Sequence, residues 1–515
     1  MRRWFYLLII GLLLMQVSAM AEPVDTTVAI KVLKTPIHSG RISPMLYGGF
    51  IELLDDLVPG MWAELLNDRG FEGAGEPVGW CYYTGEPTFC DRKWEENGTW
   101  ILDNQNPFNG DVSVRLDSTS SKPASLVQSG LGVRKGMTYN FSGHFRTDNP
   151  SLKASVIVKY LRTDGKWMTL GKADLTGIGS EWKTIKAKFS SSGTTDKAVF
   201  ELRVTGKGQL WADKLSLMPS DNINGWRKDV VEVIKAQKPS IIRWGGCFID
   251  PGDYKWKNGI GDRDNRNDFP NRFWGRNDPN DVGTDEFIQF CKAVGAEPLI
   301  CICLSDGAES ARDLVEYCNG DVSTPWGKKR TENGHAEPYN VKYWQLGNEL
   351  GGEAYSTTCV DFCKAIKSVD PNTYIMSSFP SKELFEKVGQ YISYTCPHHY
   401  SPDVEGGQAN IVAIGKSLKE AGYDGKIKLG ITEWNWSAAH WGLNRGNLGT
   451  LACNLYTGRY LNMLQRNSDL VDIACRSNMT NSYFSGMIET NMLGVLKRAP
   501  YHVMKLYGDH SKPIP

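Results

Sequence analysis

This 515-residue chain has no net charge: 58 basic and 58 acidic side chains are interspersed along it. There is no basic stripe or tail to select nucleic acid, and no amphipathic basic helix to lie on a membrane. Beyond its N-terminal segment it has no apolar run long enough to cross a bilayer. Its twelve cysteines and eight histidines nowhere adopt a zinc-binding spacing, and Cys301-x-Cys303 and Cys359-x3-Cys363 lie in apolar segments as buried thiols. Internal repeats and low-complexity tracts are also missing. Nucleic acid, membrane, metal and other cofactors are therefore not expected as partners.

What is present begins with "MRRWFYLLIIGLLLMQVSAMAEP". Two arginines lead an apolar run too short to span a membrane, followed by the small-x-small pattern Ala19-Met20-Ala21. Residues 1–21 read as a secretory signal peptide, with export to the periplasm or the cell exterior. In an exported protein cysteines can pair. Cys81 and Cys90, bracketing a short Tyr/Gly/Pro loop, are the best candidate pair, with two free thiols as the alternative. Seventeen tryptophans is a high count; their flat faces suit stacking on sugar rings, although tryptophan is also ordinary core material.

From about residue 225 helical and strand-like segments alternate. "GWRKDVVEVIKAQKP" carries apolar residues at 226, 230, 233 and 234, a helical face, and "SIIRW" then reads as a buried strand. The alternation runs on through the strands "LICICL", "VKYWQL", "YIMSS", "YISYT", "IKLGIT" and "DIACRS", and closes with a helix near 498–508. With "MLYGGFI" at 45–51 and a helix over "PGMWAELLNDRG", eight units result. Eight β/α units predict an α/β fold, a parallel (β/α)8 TIM barrel with its chemistry at the strand C-termini. Between about 80 and 218 the texture changes: "WKTIKAKF", "AVFELRV" and "QLWADKLSL" alternate with period two between turn residues. That predicts an inserted antiparallel, jelly-roll-like β-sandwich. The expected organisation is a signal peptide over 1–21, an N-terminal strand and first β/α unit over 22–79, the sandwich over 80–218 and the rest of the barrel over 219–515.

Two glutamates stand out. Glu349 ends "VKYWQLGNE", the fourth barrel strand, and Glu433 lies in "IKLGITEWNW", the seventh. Carboxylates at those places converge across the barrel mouth, the pairing that glycoside hydrolysis needs: one protonates the leaving oxygen while the other attacks or activates water. Asn348, beside Glu349, is placed to hydrogen-bond a sugar 2-hydroxyl. A strand-end glutamate that merely caps a helix or pairs on the surface is the plain alternative, and it weakens when two such residues sit on strands four and seven.

At these residues the chain resembles the α-L-arabinofuranosidases of glycoside hydrolase family 51. "ISPMLYGGFIELLDDLVPGMWAELLNDRGFEG", "IIRWGGCFIDPGDYKWKNGIGDRD", "GTDEFIQFCKAVGAEPLICICL", "NVKYWQLGNE" and "ITEWNW" follow one another as in that family, over about 40 to 508. "QLWADKLSLMP" is similar to the last strand of the carbohydrate-binding-like sandwich found in many members. The resemblance implies a retaining enzyme without a cofactor that acts on arabinose-containing glycans of plant type. It implies Glu349 as general acid/base, Glu433 as nucleophile and Asn348 on the 2-hydroxyl. Glu52 matches a sugar-binding glutamate, and Cys247 falls where the family lines the sugar pocket. His398 and Tyr400 match a His-x-Tyr pair whose tyrosine supports the nucleophile.

There are departures. "RWGGCF" lacks a proline between Trp244 and Gly245, and Asn478 stands where a sugar-contacting glutamine is usual. Family members continue into a C-terminal β-sandwich that pairs with a strand before the barrel, here "TVAIKVL" at 27–33, whereas this chain stops at Pro515. Either the product is truncated and marginal, or the inserted sandwich or a homo-oligomer covers that strand. A retaining endo-β-glucanase or xylosidase on the same scaffold is one rival, favoured by an open cleft lined by Trp256, Trp274 and Trp326. A catalytically impaired glycan-binding protein is another. For the sandwich, exposed members of Trp94, Trp100, Tyr160 and Trp167 would bind glycan, and buried ones would be core.

Overall fold

The computed structural model describes residues 41–54, 56–76, 92–250, 252–437, 448–482 and 485–511. The expectations for the signal peptide, the strand at 27–33 and the Cys81–Cys90 pair fall outside these residues.

Eight parallel strands close into a barrel: β1 (Gly48–Ile51), β2 (Ile241–Trp244), β3 (Glu297–Ile302), β4 (Tyr343–Leu346), β5 (Tyr374–Ser377), β6 (Tyr394–Thr395), β7 (Lys428–Asn435) and β8 (Val471–Arg476). β8 returns to β1, pairing Gly48 with Cys475, which completes the ring. The (β/α)8 expectation holds. β1, β2 and β4 are short and fully buried because a strand covered on both faces needs only a few apolar residues. β6 resumes as a second short segment, His398–Tyr400, that pairs His398 with Glu433. That pairing brings two of the residues singled out above side by side.

The helices carry the expected stop and start signals. In Thr284–Val294 the Glu286 carboxylate reaches back to the Gly283 amide (2.9 Å), and the helix ends at Gly295 in the left-handed region (φ +83°). Ser381, Asp403 and Thr450 each cap a later helix through the side chain.

The first unit differs from the expectation. The helix expected over 59–70 is a single short one, Leu57–Met61, after which the backbone is extended at Trp62. "MWAELL" has a helical pattern, but tertiary partners override it: Ala63 and Leu65 bond to the carbonyls of Gly225 and Leu217, and Trp62 packs edge-on against Trp226 at 5.2 Å. The helix that serves the first unit is Lys228–Gln237, on the far side of the insertion, packed beside Thr284–Val294 and Ala499–His510. The sandwich thus interrupts the first β/α connection rather than following it.

The insertion is two antiparallel sheets, one of five strands and one of four, spanning Trp100–Pro219. Their inner faces enclose a separate core that includes Phe141, Phe145, Phe200 and Leu217, and that also takes in Leu65, Leu66 and Phe71. Buried ions fasten it to the barrel. Arg69, 3% exposed, spans Asp264 (2.9 Å) and Asp281 (2.7 Å), both in the long loop after β2. His144 of the sandwich meets the same Asp264 at 3.2 Å, and Lys214 reaches Asp268 at 3.3 Å. This loop therefore touches the sandwich on one side and, as shown next, the site on the other.

Candidate active site

Arg243, at the centre of β2, organises the mouth of the barrel. A guanidinium with no exposed surface has to find anionic or carbonyl partners. Its three outward nitrogens find Gln345 Oε1 on β4 (2.9 Å), Glu433 Oε1 on β7 (2.8 Å) and Asn348 Oδ1 just beyond β4 (2.6 Å). The second oxygen of Glu433 accepts from the Tyr400 hydroxyl at 2.6 Å. Both carboxylate oxygens of Glu433 are thus held by donors, one of them cationic, which fixes its direction.

Glu349 is held differently. It is 39% exposed at its side chain and lies in the turn after β4 with φ +52°, a left-handed conformation that glutamate seldom adopts. Such strain is found where a side chain must be aimed. The turn is held from both sides, as the Asn348 amide donates to Asp250 Oδ2 and the Leu350 amide to Ser378 Oγ, each at 2.9 Å. His398 Nδ1 is 2.9 Å from Glu349 Oε1 and 3.6 Å from Glu433 Oε2, and its Nε2 faces the Thr432 hydroxyl at 3.1 Å. With carboxylate oxygens on one nitrogen and a hydroxyl on the other, the hydrogen belongs on Nδ1. Donor atoms of Glu349, His398 and Glu433 all lie within 4.8 Å of one another. These three are also the residues that could hold a cation, the one such set of His, Cys, Asp and Glu among the described residues.

Glu52, one residue beyond β1, is buried beside this group. Its Oε1 accepts from the Cys247 amide (2.6 Å) and the Trp274 indole (2.8 Å). Burial, with the Glu433 charge next, pushes its carboxyl up to about 8, although both hydrogen bonds pull the other way. The Cys247 side chain closes the gap to Asn348, whose Nδ2 lies 3.5 Å from its sulfur; burial and the surrounding carboxylates raise the thiol far above its usual range. Cys247 is thus no thiolate nucleophile here. Asp250, half-buried beneath the Asn348 backbone amide, is raised to about 7 by desolvation.

The structure therefore brings Glu52, Cys247, Asn348, Glu349, His398, Tyr400 and Glu433 to one place. The Asn478 side chain is engaged in its own turn: its Nδ2 donates to Ser485 Oγ (2.8 Å) and its Oδ1 accepts from Ser477 Oγ (3.1 Å), so its amide serves the turn after β8 rather than meeting the other site residues. Of the three tryptophans that would line an open cleft, only Trp274 reaches the site; Trp256 is buried against Trp326 and Tyr317 among the outer helices. In the sandwich Trp94 is buried with its indole on the Asp68 carbonyl, Trp100 and Tyr160 are half-buried, and Trp167 is exposed with Lys159 over its ring. Sequence reasoning passed over Arg243, Gln345, Thr432 and Asp250, and named Trp274 only as a cleft-lining tryptophan, not as a partner of Glu52. For Arg243 a signal existed, a lone cation inside the apolar run "SIIRW", which cannot stay buried without an anion opposite.

Two glutamates at the ends of β4 and β7 of a (β/α)8 barrel, one exposed and one held by a cation, define a glycoside hydrolase type of site. The comparisons narrow this. Residues 233–406 match the "Alpha-L-arabinofuranosidase 1 domain", 432–513 the "Alpha-L-arabinofuranosidase C-terminal domain", and 64–212 a "Carbohydrate binding domain". The 432–513 match runs from β7 to the final helix. Alpha-L-arabinofuranosidase C of Emericella nidulans is 40% identical over 165 residues, 30% of this chain and 32% of that one. The intracellular exo-alpha-(1->5)-L-arabinofuranosidase of Halalkalibacterium halodurans is 28% identical over 314 residues, 51% of this chain and 62% of the relative. The chain thus spans about a third of the fungal relative's length. An arabinose-bound GH51 α-L-arabinofuranosidase shares the fold over 93% of this chain and 82% of its own (TM-score 0.75, 18% identity). The arabinose complex of the Thermotoga maritima α-L-arabinofuranosidase is 29% identical over 56% of this chain and 65% of its own (TM-score 0.52). In fold and in these matches the chain is similar to the α-L-arabinofuranosidases of glycoside hydrolase family 51.

Proposed function

We propose that this protein releases α-L-arabinofuranosyl groups from arabinose-containing glycans by a retaining, two-step mechanism. The observation that carries the reading is the unequal pair: Glu433 fixed by Arg243 and Tyr400, and Glu349 half-open to solvent on His398, with donor atoms within 4.8 Å. That closeness suits a retaining pair, whose carboxyls are about 5–5.5 Å apart, rather than an inverting pair separated by a water. The matched arabinofuranosidases support the sugar.

In the first step a Glu433 oxygen attacks the anomeric carbon as the bond to the leaving oxygen breaks, and protonated Glu349 gives that oxygen its proton. In the second, Glu349 takes a proton from water, the water oxygen bonds to the anomeric carbon, and Glu433 leaves as carboxylate. Exposure of Glu349 suits a residue that exchanges protons with water twice per turnover. Asn348, its Oδ1 held by Arg243 and its Nδ2 donating to the Cys247 sulfur, has a second Nδ2 hydrogen for a sugar hydroxyl. His398 orients Glu349 through Nδ1. The N-terminal leader pattern supports action outside the cytoplasm, which cell fractionation would check.

The test is hydrolysis of 4-nitrophenyl α-L-arabinofuranoside by the full chain beside Glu349→Ala and Glu433→Ala. The expected result is loss in both, with azide restoring turnover in Glu349→Ala as the α-arabinofuranosyl azide, the configuration that two successive inversions retain. A folded wild type inactive on arabinofuranosides but active on glucan or xylan would overturn the sugar; azide product of the opposite configuration would overturn the retaining mechanism.

A further inference from the structure

Glu52 is held from one side only. Both of its protein hydrogen bonds, from the Cys247 amide and the Trp274 indole, end on Oε1, and no protein donor meets Oε2 among the described residues. The loop after β2 is pressed against the carboxyl: Gly246 sits at φ +130°, and a Cβ there would lie 2.2 Å from Glu52 Cδ. The one cation nearby, Arg243, gives its hydrogen bonds to Gln345, Glu433 and Asn348 and none to Glu52. Two neighbouring carboxyls that share one cation do not both ionise readily. Glu433, with the guanidinium on one oxygen and a phenol on the other, takes the charge. Glu52, with neutral donors only, keeps the proton, and it keeps it on the oxygen that no protein N–H occupies.

We propose that Glu52 meets the substrate as a neutral carboxylic acid, its Oε2–H donating to a sugar hydroxyl oxygen while Trp274 and the Cys247 amide hold Oε1 as the accepting end. The proposal rests on the arabinofuranosidase reading of the site and specifies how that site selects its sugar. A carboxylate at Glu52 can only accept hydrogen bonds; the acid offers a donor and turns away an oxygen whose own hydrogen must point inward. Trp274 is then a positioning residue: by filling Oε1 it forces the hydrogen onto Oε2 and the acid plane toward the sugar. The groups facing Glu52 are Glu433 from β7, Arg243 from β2, the Cys247 thiol and indole of Trp274 from the loop after β2, and the Tyr400 phenol beyond β6. Of these, Glu433 opposes ionisation of Glu52 and Arg243 assists it.

The experiment has two readouts on the full chain. Infrared difference spectra, wild type minus Glu52→Gln, should show a protonated carboxyl carbonyl band at pH 6 that is replaced by a carboxylate band when the pH is raised to about 9.5. KM for 4-nitrophenyl α-L-arabinofuranoside should then rise in the wild type by about tenfold per pH unit once Glu52 ionises. In Glu52→Gln, whose amide offers an acceptor and a donor, it should stay within about threefold at pH 6 and lack that rise. Trp274→Phe should raise KM at pH 6 and move the wild-type rise to higher pH, since the lost indole N–H stabilised the anion. A purely structural role would change KM alike at every pH. The proposal is overturned if the pH 6 difference spectrum shows a carboxylate, or if Glu52→Gln binds as poorly as Glu52→Ala with the wild-type pH profile. If no arabinofuranoside is hydrolysed, the functional reading fails while the infrared arm still decides the protonation of Glu52.

Discussion

Replacing Arg243 with methionine, a chain of similar length and no charge, tests the centre of the site. The guanidinium has no exposed surface and serves three acceptors, Gln345 Oε1, Glu433 Oε1 and Asn348 Oδ1. Breaking a buried ion pair from one side costs about 3–5 kcal/mol, because the remaining charge stays buried and unpaired. Each neutral acceptor left unmet adds about 1–3 kcal/mol, though these losses overlap because the groups relax together. Uptake of a proton by Glu433 would cap the cost, and a protonated Glu433 cannot attack. We therefore expect unfolding free energy to fall by about 4 kcal/mol. kcat/KM should drop by about three orders of magnitude, since each 1.36 kcal/mol is a factor of ten. Arg243→Lys should recover part of the stability but little activity, because one ammonium cannot span three acceptors in different directions. Urea unfolding followed by circular dichroism gives the first quantity and arabinofuranoside kinetics the second. A methionine variant within about 1 kcal/mol and tenfold of wild type would refute the claim that Arg243 holds the nucleophile.

Tyr400→Phe removes one charge-assisted hydrogen bond from Glu433 and leaves Arg243, so kcat should fall by about ten- to a hundredfold with little change in melting temperature; an effect below about twofold would deny Tyr400 that role. Gly246→Ala places a methyl group 2.2 Å from the Glu52 carboxyl at a φ that alanine resists, so the melting temperature should fall and KM rise, and a variant with wild-type KM would show that the loop yields freely. Asp281 and Asp264 are both held below the ordinary carboxylate range despite burial, by the Arg69 and Arg263 charges and, for Asp264, foremost by the hydrogen bond from His144. Depressed carboxylates stabilise the fold above their unfolded value, near pH 4, and that contribution is lost as pH falls further. Acid titration followed by limited proteolysis should therefore release the sandwich–barrel contact below about pH 4 in the wild type and at higher pH in Asp264→Asn.

The barrel could be read from the sequence because a doubly covered strand is a short apolar run and each run here is followed by a helical period. The pair Glu349 and Glu433 was legible for the same reason: once strands four and seven are counted, their ends share one face. Trp274 was named only for an open cleft; its contact with Glu52 was not legible, since it lies in a loop with no periodicity and only a fold that carries that loop back across β1 sets it there. The segment from Trp62 to Phe71 misled in the opposite sense; its helical spacing is real, but its apolar residues pack with Trp226 and into the sandwich core. Asn478 shows a third kind of limit. A side chain's identity does not reveal that its amide is already taken by neighbouring serines.

The interruption of the first β/α connection has a consequence for how the chain reaches this shape. β1 leaves the ribosome ahead of every other barrel strand, yet both of its partners, Ile241–Trp244 and Val471–Arg476, are made much later. Before either exists, the sandwich is complete and can close its own core by local antiparallel pairing. Nascent β1, carrying Glu52 at its end, then waits beside a finished domain rather than on a free tail. The sandwich is in this sense a placeholder: it shelters Leu65, Leu66 and Phe71 next to the waiting strand until the last strand arrives to shut the ring.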